Sequence, residues 1–320
     1  MSDFDVFNGD ADGICALTQL RNAQPRDAEL VTGVKRDIAL LKRVHPDSGS
    51  RVTVLDVSLD KNRDELQRVL IAGARVFYCD HHFAGDVPAD DKLQTLINTA
   101  PDVCTSLLIN KHLDGAFLGW AVVGTFGDNL RRSAQVLAKP LGLDEAKLSQ
   151  LENLGIYINY NGYGARLDEL HFEPQDLYRR VVQYADPFDF IVDGVEDFQK
   201  LEAGYRDDMA AAAALAPAHS NASVAAYLLP DAPWARRVSG VFSNDLANAH
   251  PARAHAVITA KSDGTYLVSV RAPLENKTGA DELCMEFPTG GGRKAAAGIN
   301  ALPGDSLERF IQRFSEFYGS

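Results

Sequence analysis

The chain has 320 residues, enough for two domains of ordinary size, each with a hydrophobic core of its own. Hydrophobic residues make up 46% of the sequence and charged residues 24%, as in folded globular proteins, and no apolar run approaches the roughly 18 residues that a membrane span needs. The net charge of −12 argues against a broad electrostatic grip on duplex nucleic acid, so an anionic ligand would have to be small and be met by metal ions or a few local arginines.

Strand and helix patterns alternate through the first hundred residues. Apolar runs with strand character cover residues 4–8, 29–33, 51–56, 75–80 and 93–98. Helical spacing follows the first three of them, at 14–20, 38–44 and 60–70. Strands that alternate with helices predict βαβ units, and therefore an α/β domain with a doubly wound parallel sheet.

The chain then becomes helical, and the pattern restarts after Pro217. Helical spacing runs through 104–113, 117–125, 133–141, 145–158 and 174–186, and a long helix covers 194–215. Beyond it, strands at 224–229, 254–261 and 266–272, helices at 235–248 and 307–318, and a glycine-rich loop at 290–292 predict a smaller α/β domain. We therefore predict a first domain over 1–193, a linker helix over 194–217 and a second domain over 218–320.

The four cysteines are far apart in the sequence and lack the C-x-x-C spacing of a zinc site. We expect reduced thiols in the core, with no disulfide framework. The N-terminus enters a strand directly and has neither the basic nor the apolar region of a signal peptide. We therefore expect a cytoplasmic protein that binds no membrane, and the sequence leaves a homodimer open.

Acidic residues and histidines follow several of the predicted elements. They are Asp10 and Asp12 after the first strand, Asp56 after the third, Asp80, His81 and His82 after the fourth, and Asp128 after a helix. Each alone is typical of a solvated turn or a cap. Together, at one edge of a parallel sheet, they suit Mn²⁺, Fe²⁺ or Zn²⁺ better than Ca²⁺. An aspartate that bridged two ions about 3.5–4 Å apart would give the two-metal clamp of phosphate-ester hydrolysis.

These segments resemble, in order, the four motifs of the DHH phosphoesterases. They are Asp10-Ala-Asp12, Val54-Leu-Asp56, Asp80-His81-His82 and Gly124-Thr-Phe-Gly-Asp128. That superfamily includes RecJ-type exonucleases, oligoribonucleases (nanoRNases), cyclic dinucleotide phosphodiesterases and family II pyrophosphatases. Ser269-Val-Arg271, followed by the segment from Gly290 to Gly298, resembles the DHHA1 substrate-binding domain. The resemblance covers nearly the whole chain and implies a DHH domain followed by a DHHA1 domain.

The resemblance implies a set of metal ligands. Asp56 would bridge two divalent ions, and Asp10 would bind one of them. Asp12, His81 and Asp128 would bind the other. Mn²⁺ is the expected ion, with Mg²⁺, Co²⁺ or Fe²⁺ as alternatives.

The resemblance also implies catalytic and substrate-binding roles. His82 would face the phosphate, and Asp80 would orient an imidazole from behind, as outer carboxylates do at metal sites. Backbone N–H groups of a glycine loop at a helix start would suit a terminal phosphate or base. The residues expected to hold the substrate in this way are Arg271, Gly290, Gly291, Gly292 and Arg293.

Two positions depart from the family pattern. Many DHH proteins have a histidine six residues before the second aspartate of the first motif, where this chain has Val6. One metal site should therefore be weaker, or be completed by water. The glycine loop of the family usually reads Gly-Gly-Gly-His, and in this chain Arg293 replaces the histidine. An arginine binds phosphate in a bidentate manner but cannot exchange a proton.

The function that follows is metal-dependent hydrolysis of dinucleotides or short oligonucleotides, such as the linear products of cyclic dinucleotides, to mononucleotides. A phosphatase of 3′-phosphoadenosine 5′-phosphate is one alternative, and a nucleotide-binding protein without turnover is another, suggested by Val6 and Arg293. A RecJ-like processive exonuclease is disfavoured because such enzymes usually add further domains. We expect Lys35 and Arg36 at a solvated helix start, with a contact to the site as the alternative.

Overall fold

A computed structural model describes residues 2–319 of the chain. They form two compact units, and the division falls between Ala203 and Gly204, within a helix that begins at Val195. No helix in the described range is long and apolar enough to cross a membrane.

The N-terminal unit is built on a five-stranded sheet with helices packed around it. Its strands are β1 (Phe4–Phe7), β2 (Glu29–Val31), β3 (Arg51–Leu55), β4 (Arg75–Asp80) and β5 (Leu93–Ile97). Its helices are α1 (Ala11–Ala23), α2 (Arg63–Ile71), α3 (Thr105–His112), α4 (Leu118–Gly127), α5 (Arg131–Ala138), α6 (Glu145–Asn161), α7 (Pro174–Val181), α8 (Pro187–Asp193) and α9 (Val195–Ala213), the last of which continues past the division.

All strand pairs of this sheet are parallel, in the order β2-β1-β3-β4-β5. The chain order reverses between β1 and β3, and a crevice for ligands forms at such a point, outside the carboxyl ends of the strands. Val6 of β1 is opposite Val54 of β3, so the residues that follow these two strands emerge side by side. The predicted α/β class and parallel sheet are confirmed.

Buried apolar side chains of the strands stabilise the sheet. Val6, Val54 and Tyr78 share one buried cluster with Leu66 and Val69 of α2. Burying an aliphatic side chain of this size stabilises the fold by roughly 1.5–3 kcal/mol. A buried parallel sheet needs such near-continuous apolar strands, and it leaves the strand ends as the place for polar side chains.

Two local expectations are wrong in detail. The helix expected over 174–186 ends at Val181, and a separate helix, α8, begins at Pro187, before which Asp186 is extended, with φ −114° and ψ 130°. The helix expected over 38–44 is only a 3-10 turn, Leu40–Arg43, and Ile38 is exposed. Pro46 follows closely, and a helix cannot continue through the residue before a proline.

The C-terminal unit contains a six-stranded mixed sheet. Its strands are β6 (His219–Ser220), β7 (Val224–Leu229), β8 (Ala254–Ala260), β9 (Thr265–Arg271), β10 (Gly290–Arg293) and β11 (Ala296–Pro303), and its further helices are α10 (Pro233–Ala249), α11 (Ala280–Met285) and α12 (Leu307–Gly319). The order is β10-β11-β9-β8-β7-β6, and only β7 and β8 are parallel. Phe310 and Phe314 of α12 are fully buried against this sheet's core, with their rings stacked 6.0 Å apart.

Candidate metal centre

The turn between β1 and α1 places two carboxylates at the edge of the N-terminal sheet. Asp10 caps α1, since its Oδ1 accepts a hydrogen bond from the Gly13 N–H at 3.1 Å. Glycine is required at position 13 because a Cβ there would lie 2.2 Å from the Asn8 carbonyl oxygen. Asp12 follows on the first turn of the helix and is buried.

Asp12 is bound to the N-terminus of α3. Its Oδ2 accepts a hydrogen bond from the Thr105 N–H at 2.7 Å, and its Oδ1 accepts one from the Ser106 N–H at 2.6 Å. Free N–H groups and the helix dipole favour a carboxylate at this position. These two bonds hold the carboxylate in a fixed direction.

Asp56 follows β3 with a left-handed backbone, at φ +58°, a conformation in which aspartate and asparagine are enriched. Its N–H donates to the Cys79 carbonyl at 3.1 Å, which extends the pairing with β4 by one residue. Its Oδ1 accepts a hydrogen bond from the Thr105 hydroxyl at 3.3 Å, and the side chain is only 2% exposed. The turn thus aims a buried carboxylate at the same point as Asp12.

The two histidines after β4 are oriented differently. Asp80, the last residue of the strand, is fully buried, and its Oδ1 accepts hydrogen bonds at 2.8 Å from the His81 N–H and from His82 Nδ1. The Nδ1 of His81 instead lies 2.9 Å from the Val103 carbonyl oxygen, to which it must donate. The Nε2 of His81 is therefore the nitrogen that is directed at the acids.

Three carboxylates surround this nitrogen. His81 Nε2 lies 3.4 Å from Asp56 Oδ1, 3.9 Å from Asp12 Oδ2 and 4.0 Å from Asp128 Oδ2. Asp128 ends α4 as its C-cap. The sheet edge, α1 and α4 thus bring together four residues that are far apart in the sequence.

Burial and mutual repulsion raise the pKa values of two acids in this group. Desolvation, followed by the charges of Asp10 and Asp12, raises the pKa of Asp56 well above its ordinary value. Desolvation and the charge of Asp12 raise the pKa of Asp128 to about 6. In both cases the folded protein carries more negative charge than this small volume can hold without a compensating cation.

The pKa of His81 is also raised, but in a histidine a raised pKa favours the charged form. Burial by itself lowers the pKa of His81, but the hydrogen bond and charge of Asp56, with the charges of Asp12 and Asp128, raise it to about 10. A proton on His81 supplies positive charge, and the raised pKa of Asp56 favours a neutral carboxyl, so both reduce the excess of negative charge. A divalent cation would supply positive charge instead and would release protons on binding.

The donor set fits one divalent cation. Within the described range, two groups of side chains bring their ligand atoms within 4.8 Å of one another: Asp12, His81 and Asp128, and Asp56, His81 and His82. In the second group, His82 Nδ1 is 3.9 Å from Asp56 Oδ1 but is already engaged by Asp80. The first group, with Asp56 beside it, is the better site, and its mixture of carboxylate and imidazole suits Mn²⁺, Fe²⁺ or Zn²⁺.

Asp10 has a different environment, in which Lys35 makes the contact to the site that the sequence analysis gave only as the alternative. The ammonium of Lys35 lies 2.5 Å from Asp10 Oδ2 and 2.8 Å from Asn159 Oδ1. Burial would raise the pKa of Asp10, but the charge and hydrogen bond of Lys35 lower it, and Asp10 in turn raises the pKa of Lys35 well above its ordinary value. The expectation that Lys35 lies at a solvated helix start is wrong, because the chain after β2 folds back onto the end of α6.

The residues expected to hold substrate lie in the C-terminal unit. Arg271 ends β9, and its Nε donates to Asn244 Oδ1 at 2.8 Å. The expectation of a glycine loop at a helix start is wrong. Gly290–Arg293 forms strand β10, which pairs antiparallel with β11, and Arg293 is exposed at its end. A Cβ at position 290 would lie 1.8 Å from the Cys284 carbonyl oxygen, so close packing of backbone on backbone explains that glycine.

No protein-family model matches the sequence, and no curated protein matches it. Its structure does match solved structures. An exonuclease RecJ bound to manganese aligns with 99% of this chain and 90% of its own, with a TM-score of 0.64 and 18% identity. RecJ from Thermus thermophilus in complex with Mn²⁺ aligns with a TM-score of 0.66 and 19% identity, over 99% of this chain and 52% of its own.

A third match is to PggH from Vibrio cholerae, a pGpG-specific phosphodiesterase. It covers 99% of both chains, with a TM-score of 0.59 and 13% identity. The chain has a DHH-type fold. The two units, a parallel five-stranded sheet followed by a mixed sheet, are those of the RecJ-like two-domain arrangement.

Proposed function

We propose that this protein is a metal-dependent phosphodiesterase that hydrolyses dinucleotides and other very short oligonucleotides to mononucleotides. The observation that carries the proposal is the position of His81 Nε2 within about 4 Å of three carboxylates, those of Asp12 and Asp56, which are buried, and that of Asp128, at the ligand-binding edge of a DHH-type sheet. Structures of similar fold include an exonuclease and a phosphodiesterase of the linear dinucleotide pGpG, both of which cleave phosphodiester bonds.

Asp12, His81 and Asp128 would hold a divalent cation, and Mn²⁺ is the ion we propose. Bound there, it would lower the pKa of a water molecule and polarise the phosphate. The protein holds two of these ligands in place: the N-terminus of α3 holds Asp12, and the Val103 carbonyl fixes the tautomer of His81. This preorganisation means that little rearrangement is needed on binding.

His82 has the geometry of a group that faces the phosphate. Its side chain is 46% exposed, and its Nδ1 donates to the fully buried Asp80. That bond leaves Nε2 as the nitrogen on the accessible side of the ring. In the imidazolium form Nε2 would donate to a phosphate oxygen and then pass its proton to the leaving O3′, while Asp80 stabilises the positive ring.

A cavity lined by Phe83, the residue that follows His82 in the sequence, could take a base. Its volume is about 670 Å³, in the range typical of ligand sites, and it lies between the segment after His82 and the end of β5. Phe83 lines it and is 72% exposed, an unusual state for a phenylalanine, and Asn98 offers polar atoms at the same cavity. A base stacked on an aromatic ring gains about 1–3 kcal/mol, so Phe83 is the platform we propose.

Arg271 and Arg293 would bind a terminal phosphate. Their guanidinium groups suit phosphate oxygens, and they are on two strands of one sheet, β9 and β10. Backbone N–H groups of β10 remain candidates for the same task, although no helix start is present there. A substrate with an exposed terminal phosphate fits this set best.

The test is incubation of the Mn²⁺-loaded protein with a 5′-phosphorylated dinucleotide, such as pGpG or pApA, followed by chromatography of the products. Mononucleotides should appear, and they should not appear with EDTA or with Asp56→Asn. A folded, Mn²⁺-loaded protein that releases no mononucleotide from either substrate would exclude the proposal.

Two alternatives are separated by the same experiment. Release of free phosphate from 3′-phosphoadenosine 5′-phosphate, without cleavage of dinucleotides, would identify a nucleotide phosphatase. Tight nucleotide binding without any product, unchanged in Asp56→Asn, would identify a binding protein. The intact group around His81 favours hydrolysis over both.

A further inference from the structure

Lys35 is held in the metal centre by its main chain as well as by its side chain. Its N–H donates to the Gly162 carbonyl at 2.8 Å, and its carbonyl accepts a hydrogen bond from Asn8 Nδ2 at 3.4 Å. The side chain is 21% exposed and lies with its ammonium 5.2 Å from the centre of the Tyr163 ring. A lysine anchored at both levels is part of the site and does not sweep through solvent.

The ammonium takes the direction from which a cation would approach Asp10. Asp10 Oδ1 is engaged by the Gly13 N–H, and Oδ2 is 2.5 Å from Lys35 Nζ. A divalent ion bound to Oδ2 would come within a few ångströms of a fixed positive charge, and the two would repel each other strongly at such a distance. Neither of the two side-chain groups that could hold an ion, within residues 2–319, includes Asp10.

Val6 offers no ligand either. It lies in β1 with its side chain fully buried in the apolar cluster that includes Val54, and it has no atom that can bind a metal. Asp10 therefore has an ammonium at its Oδ2 and no ligand from Val6 to support an ion, two independent features that both disfavour a divalent ion at Asp10.

We propose that Lys35 replaces one of the two metal ions: the centre binds a single divalent cation at Asp12, His81 and Asp128, beside Asp56, and the ammonium at Asp10 provides the second positive charge. The inference rests on the proposed metal-dependent function. It makes Lys35 a positioning and charge-supplying residue of the site. An ammonium has three N–H donors, and within the described range Asp10 and Asn159 take two of them. The third is suited to a phosphate oxygen of the substrate.

The stoichiometry of Mn²⁺ tests this without reference to activity. Wild-type protein dialysed against millimolar Mn²⁺ should retain one ion per chain by elemental analysis, and its electron paramagnetic resonance spectrum should be that of an isolated Mn²⁺. Lys35→Met removes the charge at similar length and should bind a second ion, at least about tenfold more tightly than wild type, with a spectrum of two coupled Mn²⁺ ions. Lys42→Met, at an exposed lysine of the same unit, should behave as wild type.

The outcomes separate the two proposals. Two coupled Mn²⁺ ions in wild-type protein that cleaves dinucleotides would overturn the role of Lys35 and leave the function standing. A single ion in both wild type and Lys35→Met would likewise overturn it. No Mn²⁺ bound by folded wild type would instead overturn the proposed function. If Lys35→Met does not fold, Lys35→Gln, which keeps hydrogen-bond donors without the charge, takes its place, and the wild-type stoichiometry alone can still refute the inference.

Discussion

The two units of the chain differ in one respect: the N-terminal unit contains a cluster of acids with too few cations beside them, although its buried Asp5 is paired with Arg21. The N-terminal unit buries Asp12 and Asp56 beside His81, with more acid than base within a few ångströms. In the described part of the C-terminal unit, the buried carboxylate is Asp208, and Arg237 neutralises it at 2.7 Å. The buried histidine of that unit, His255, is kept neutral, because burial and nearby charge lower its pKa to about 4.

This difference separates what each unit contributes. A buried charge without a partner destabilises a fold by several kcal/mol, so an unbalanced cluster persists where it binds something. The C-terminal unit has the composition of a structural core, with Phe310 and Phe314 buried and stacked. Mutations in the acidic cluster should therefore affect metal binding, and mutations among the buried aromatic residues of the C-terminal unit should affect stability.

The largest effect is expected from Asp56→Asn. Asparagine tolerates the left-handed backbone at this position but cannot supply the negative charge, so dinucleotide hydrolysis should fall by about 10³-fold or more. Folding raises the pKa of Asp56, so at neutral pH the ionised carboxylate has a higher free energy in the folded state than in the unfolded state. The metal-free variant should therefore be more stable than wild type, by about 1 kcal/mol in urea unfolding at pH 7.

Asp114→Asn is the matched control, since Asp114 is exposed and has a similar backbone, with φ +51°. It should change neither activity nor stability. Loss of stability in metal-free Asp56→Asn would show that the acidic cluster is not under strain and would remove the main contrast between the units.

Phe310→Ala should have the largest effect on stability. The ring is fully buried, 5.5 Å from the Phe287 ring and 6.0 Å from the Phe314 ring, and such truncations cost about 3–5 kcal/mol. Urea unfolding measures the loss, and Mn²⁺ binding at low temperature should be retained because the contacts of Phe310 are in the C-terminal unit. Leu274→Ala, at an exposed leucine, should cost less than about 0.5 kcal/mol. Equal losses in the two variants would contradict the assignment of a structural core.

Asp80→Asn tests the orientation of His82 within the N-terminal unit. The amide oxygen can still accept a hydrogen bond from His82 Nδ1, but it no longer stabilises an imidazolium, so turnover should fall by about 10–100-fold. The amount of bound Mn²⁺ should not change, because the His81 ring is oriented by Val103 and not by Asp80. Asp91→Asn, at an exposed acid, is the control. Loss of the metal as the first consequence would show that Asp80 supports the ligands themselves.

The sequence predicts the carboxyl ends of β1, β3 and β4 well, because each strand is a short apolar run that stops at an acid. It could not decide between a solvated Lys35 and one at the site, since the position of Lys35 depends on contacts with Gly162 and Asn159, more than 120 positions away. Nor could it predict β10: glycine has little strand propensity, and this segment is a strand because β11 pairs with it. The local sequence pattern predicts where polar side chains follow the strands of the sheet. Which residues contact those side chains depends on tertiary contacts between distant segments.

The smallest effect concerns His255, the counterpart of His81 in the C-terminal unit. It is fully buried, accepts a hydrogen bond from Arg253 Nε at 3.4 Å and stacks 6.0 Å from the His250 ring. Burial and these cationic neighbours favour its neutral form, with a pKa of about 4 against about 6.5 in the unfolded chain. Between these values the unfolded state binds more protons, so this contribution to stability is present above about pH 6.5 and is lost as the pH falls toward 4. In His255→Gln the difference in unfolding free energy between pH 7.5 and pH 5 should shrink by about 1–2 kcal/mol, and in His219→Gln, a histidine on β6 of the same sheet, it should not. An undiminished pH dependence in His255→Gln would show that His255 does not cause the loss of stability at low pH. The acidic cluster of the N-terminal unit would then be its expected source.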